Sequence, residues 1–156
     1  MLWPPPTGWV VTGLAHAGDE RTGARATLLA CSGPAPLGGV GDVVLVAEEP
    51  GIGLGARFAG LPGPDPGEGF DLGPANVKLN VGGHLTPLWN VDGEPQAAVF
   101  VGEAEALWLW LVLWPANAEL LLLENMSIID LRRRRHEVVL GFGALTPRLT
   151  SRPPAG

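Results

Sequence analysis

The sequence predicts one β-rich α+β domain, built on a mainly antiparallel, curved or partly closed sheet of about nine or ten short strands with one short helix. Three observations lead there. Apolar residues make up 46% of the 156 and include six tryptophans, far too much for a disordered chain. They fall in short runs of strand length, the most apolar being Leu107–Trp114. Between the runs lie most of the 23 glycines and 16 prolines, where tight turns need them. A chain of this length buries a real core as a single unit. We place that unit at residues 9–146, between a proline-rich segment at 1–8 and a flexible C-terminal tail at 147–156.

Leu107–Trp114, LWLWLVLW, sets the frame. Trp108 and Trp110 fall on one face of a strand and Leu107, Leu109 and Leu111 on the other, so both faces need cover and the strand is central. Its expected neighbour is Leu120–Leu123, across a hairpin connection started by Pro115. Before it, Trp9–His16 and Ala24–Cys31 form a hairpin around a polar, glycine-flanked tip, and Asp42–Ala47 is a buried strand. The helix is expected near Leu54–Leu61, with Pro50 available as a first helical residue behind Glu48 and Glu49. Residues 62–73 are a loop of prolines, glycines and acids. Asn76–Val81 and His84–Val91 flank the Gly82-Gly83 turn, and Ala97–Val101 precedes the central strand. Ser127–Leu131 and Val138–Phe142 are strands on either side of four arginines.

Sixteen acidic against ten basic residues give a net charge of −6, which disfavours nonspecific binding to nucleic acid or to an anionic membrane. The balance is uneven: from Leu131 onward there are six Arg and one Glu, before it four basic and fifteen acidic residues. The basic end would neutralise the acidic body. One cysteine excludes an internal disulfide and agrees with a reducing compartment. With no signal-peptide pattern at Met1, the cytoplasm is expected. The apolar run at Leu107–Trp114 is far short of the ~20 residues a membrane helix needs.

The motifs that could carry chemistry are few. Gly51, Gly53 and Gly55 with Arg57 follow a buried strand and open the expected helix, a setting in which backbone N–H groups can approach a phosphate and Arg57 can neutralise it. No nucleotide-triphosphate signature completes the pattern, and the same glycines would serve close packing of helix on sheet. Cys31-Ser32 would need His16, His84 or His136 as a base, and no spacing supports that partnership; a lone Cys ending an apolar strand is a small core residue. No catalytic residue is assigned. Scattered histidines and a single cysteine predict neither a metal centre nor a cofactor. Glu48-Glu49 and Glu103 with Glu105 read as solvated charge at strand ends that guards against aggregation. The run Arg132, Arg133, Arg134, Arg135 offers a basic patch for phosphate or for an acidic partner.

The stretch Gly8–Gly67, with LWLWLVLWP at Leu107–Pro115 and GALTPRL at Gly143–Leu149, resembles an uncharacterised actinobacterial family, a domain of unknown function. The resemblance covers most of the chain and implies no reaction, ligand or catalytic residue. It also implies a cysteine-rich, zinc-ribbon-like head before this domain in other members, a region this sequence starts after. The expected function is a non-enzymatic binding or regulatory module engaging a protein partner, with a homo-oligomer as one form. The alternative is a site for a phosphate-bearing or other anionic small molecule at Gly51–Arg57.

Overall fold

A computed structural model describes residues 8–19, 23–81, 83–118 and 127–128. The strands are β1 (Val10–Asp19), β2 (Gly23–Pro34), β3 (Val40–Glu48), β4 (Val77–Val81), β5 (His84–Asn90), β6 (Ala98–Ala104), β7 (Leu107–Trp114) and the two-residue β8 (Ser127–Ile128); the helix α1 is Leu54–Ala59. Seven strands form one antiparallel sheet in the order β1-β2-β3-β7-β6-β5-β4, and β8 lies parallel to β4 at Asn80–Val81.

The sheet is neither closed nor strongly curled. That corrects the expected curved or partly closed sheet, and among the described residues the strands number fewer than the nine or ten expected. The tryptophans are hidden by other means. Trp110 lies under α1, and Phe70 from the 62–76 loop sits edge-on between Trp89 and Trp108, with centroids 5.8 and 5.7 Å away. The Trp89 indole N–H also donates to the Gly73 carbonyl at 2.9 Å, fastening that loop. Trp9 lies over Gly33, where an added Cβ would fall 2.4 Å from its ring, and its outer edge approaches Gly41.

β7 has the predicted bounds and the predicted central place, fully buried from Leu109 to Trp114. Its partners differ from expectation. β3 pairs along one edge, Val44 opposite Val112, and β6 along the other, Ala104 opposite Leu107. Both edges of β7 are thus taken by described strands. Leu120–Leu123, Val138–Phe142, the Arg132–Arg135 run and the two predicted terminal segments up to residue 7 and from 147 lie outside the described residues.

Strand alternation sorts the core into two faces. One gathers Val11, Leu29, Val43, Leu45, Leu109 and Leu111, with Leu79, Val81 and Leu88 of the β4–β5 hairpin. The other gathers Leu28, Val44, Val46, Val101, Trp110 and Val112 against Ala56, Phe58 and Ala59 of α1. Each such large apolar side chain contributes about 1.5–3 kcal/mol on burial, so a six-residue helix is held by packing and not by its own propensity. β5 meets β6 through only Trp89–Val101 and Asn90–Phe100. Beyond that pair β5 leans on β6 at Gly102, where an added Cβ would lie 2.3 Å from the Pro87 carbonyl oxygen.

Candidate functional site

The turn singled out by its glycines is a joint between β3 and α1. β3 alternates Val44, Val46 and Glu48 toward the α1 face, so its last residue is delivered beneath the helix. Glu48 is 0% exposed, whereas Glu49 faces solvent and pairs with Arg25 at 3.0 Å. The expectation that Glu48 is a solvated strand-end charge is thereby corrected, because strand parity puts neighbouring glutamates on opposite sides of the sheet.

The Glu48 carboxylate accepts the backbone N–H of Leu54 at 2.8 Å and of Gly55 at 3.1 Å. These are among the N–H groups that an α-helix leaves without internal partners. Burial raises the pKa of Glu48, and the Gly55 and Leu54 N–H bonds oppose that rise. The Trp110 indole N–H also favours the charged form, though it falls outside normal hydrogen-bond geometry and is otherwise unpartnered.

The three glycines have separate tasks. Gly51 turns the chain at φ 96° with open space around it. Gly53, at φ 80°, is the residue before the first helical turn and packs on Pro64. Gly55 lies flat on the indole of Trp110: an added Cβ would fall 2.1 Å from Cδ1 and 2.2 Å from Cγ. Helix start and proline position follow from this. Pro50 stays in the turn, and the helix begins only at Leu54, after the left-handed Gly53. At the other end Gly60, at φ 77°, closes the helix, its N–H reaching Arg57 while that of Leu61 reaches Ala56. Arg57 itself is exposed. Gly51, Gly53, Gly55 and Arg57 lie in one turn, where the N–H groups of Leu54 and Gly55 are already held by the protein's own carboxylate.

The other candidates disperse. Cys31 is fully buried, and burial pushes its thiol up to about 12, so it stays protonated. His16 pairs with Thr27, four positions along β2 from Cys31, and His84 is exposed beside the β4–β5 turn. Ser32 donates to Asp42 on the neighbouring strand. Glu103 is an exposed β6 residue next to Trp108, whereas Glu105 is in the β6–β7 turn at φ 53°. Among the described residues, no three His, Cys, Asp or Glu side chains are placed to hold a metal ion, and no helix is long and apolar enough to cross a membrane.

One feature escaped the sequence reading. At the end of the sheet where β3 begins and β7 ends, Val40, Asp42, Gln96, Trp114, Pro115 and Asn117 line an open cleft of about 650 Å³. Beside it the β2–β3 turn exposes Leu37 and Val40, at 68% and 75%. Their place at a turn is legible in sequence; their convergence with residues from 96 and 114–117 requires the strand order.

Fold and site define an open antiparallel β-sheet domain with one helix sealed onto a face and an apolar rim at one end. The chain belongs to DUF6758, a family of unknown function, whose model matches residues 1–149. No curated protein and no solved structure matches the chain.

Proposed function

We propose that this domain is a non-enzymatic binding or regulatory module that works in the cytoplasm by engaging a protein partner, with a second copy of itself as one such partner. The observation that carries this reading is the pairing of exposed Leu37 and Val40 with the open cleft beside them. Large apolar side chains standing in water next to a concavity rimmed by Asp42, Gln96 and Asn117 supply what a modest interface uses: an apolar contact with polar groups at its margin. In the finer reading the family is actinobacterial, with a zinc-ribbon-like head before this domain in other members.

The rival, an anionic ligand at Gly51, Gly53, Gly55 and Arg57, would require the anion to displace the buried Glu48 carboxylate from two N–H groups. Nucleic acid, at Arg132–Arg135, is disfavoured by the net charge of −6.

A photo-crosslinking residue at position 37, used in cells, tests the proposal. A crosslinked adduct with a protein or with a second copy, lost on Val40→Asp, is the expected outcome. Absence of any adduct, or an adduct that Val40→Asp leaves unchanged, overturns it.

A further inference from the structure

The geometry points to α1 being a proton-linked lid, hinged at Gly51 and Gly53 and latched by the buried Glu48 carboxyl group, whose opening uncovers the Trp110 face of the sheet. Three features meet there. The latch is a fully buried carboxylate among Val46, Ala56 and Trp110, an apolar setting in which its charge is costly unless every donor nearby is used. Two donors are used, the N–H groups of Leu54 and Gly55, while a third, the buried Trp110 indole N–H, favours the charged form only from outside normal hydrogen-bond geometry. The hinge carries left-handed glycines at φ 96° and 80°, around which the chain can swing with little steric cost. The lid is short, and its far end rests on the Glu94 N–H donating to the Ala59 carbonyl at 2.7 Å. Gly93 supplies the close approach that this contact needs.

Few other charges lie around the latch. The turn brings Glu49, already paired with Arg25 of β2. α1 brings Arg57, exposed; β7 brings Trp108 and Trp110 and no charge; β6 brings exposed Glu103 beside Trp108. The loops packed on α1 bring Asp65, next to Pro64, and Asp92 and Glu94. Acidic neighbours outnumber the one α1 cation, the exposed Arg57, and Arg25 is already paired with Glu49.

The direction of the linkage follows. With the lid closed, burial raises the pKa of Glu48; with the lid open, the carboxyl meets water and titrates in the ordinary glutamate range. The closed lid therefore binds more protons between those two values. Closure is strongest below the ordinary value, weakens as pH rises through the raised one, and levels off above it. Each unit of separation appears as up to about a tenfold rise in the open population.

Amide hydrogen exchange of the intact chain across pH 4–8, corrected for intrinsic rates, tests this. Protection at Leu54, Gly55 and Arg57 should fall with rising pH while Val44 and Leu111 in the strands hold constant, and Glu48→Gln should flatten the α1 profile. If Glu48→Gln does not fold, the Glu48 carboxyl carbon shift in the wild-type protein takes its place, and its midpoint must coincide with the change in α1 protection. Protection at α1 that is independent of pH, that changes only together with Val44 and Leu111, or that moves at a midpoint different from that of Glu48 overturns the proposal.

Discussion

Replacing Gly55 by Ala separates helix propensity from packing at the joint. Gly55 is helical and does not have a positive φ, so alanine can adopt its backbone conformation, and in a solvent-facing helix the change would stabilise by about 0.5–1 kcal/mol. Here the new methyl would lie 2.1–2.5 Å from three atoms of the Trp110 indole, where ordinary contact begins near 3.4 Å. Trp110 is 0% exposed and packed with the residues of α1. The helix must lift by roughly an ångström, an overpacking cost of about 1–3 kcal/mol. Lifting also stretches the 3.1 Å bond from the Gly55 N–H to Glu48, with a penalty of about 1–3 kcal/mol for a buried group left unmet. After the propensity gain, the net loss is about 1–5.5 kcal/mol. For a chain of this size that lowers Tm by about 2–22 °C. Thermal unfolding followed by tryptophan fluorescence reads it directly. Gly51→Ala is the control: it faces open space and loses only the left-handed conformation, about 1 kcal/mol. A Gly55→Ala protein as stable as wild type, or more so, would refute the packing argument.

Three further outcomes are expected. Gly102→Ala places a methyl 2.3 Å from the Pro87 carbonyl, a backbone atom that cannot step aside, and should cost at least about 2 kcal/mol in urea unfolding. Ala106→Gly should stabilise by about 1 kcal/mol, since Glu105 and Ala106 both hold positive φ in the two-residue turn between Ala104 and Leu107; an unchanged midpoint would mean that the turn is not strained. The Cys31 thiol, pushed up to about 12 by burial, should react with a disulfide reagent at pH 8 only at the rate of global unfolding; labelling within seconds in native buffer would contradict its burial.

Much of the fold was legible because each strand carries its own signal. LWLWLVLW is short, apolar on both faces and bounded by charge and proline, and it became a central strand with those bounds. The seven antiparallel strands and the helix after β3 follow from similar local patterns. What failed was long-range. Leu120–Leu123 is near Leu107–Trp114 in sequence, yet one edge of that strand belongs to β6 across the Glu105-Ala106 turn and the other to β3, far back along the chain. Closure of the sheet was inferred from the need to cover tryptophans, and the cover came instead from α1 and Phe70. At the glycine-rich turn the residues were found but their purpose was not. Glu48 and Glu49 look alike as a pair of acids; only the continued alternation Val44, Val46, Glu48 marks the first as inward-facing. That period-2 signal was available in the sequence and, followed one residue further, would have placed a carboxylate under the helix.

The central structural claim is that the turn from Glu48 to Arg57 is closed on itself, its helix-start N–H groups held by Glu48. The most direct test is a titration of the isotopically labelled protein with inorganic phosphate at constant pH and ionic strength, following the Leu54 and Gly55 amide resonances in the wild type and in Arg57→Ala. The account predicts shifts that stay small, do not saturate, and are the same in both proteins. A saturable shift of both amides in the low millimolar range, abolished by Arg57→Ala, would contradict it and make the turn an anion site.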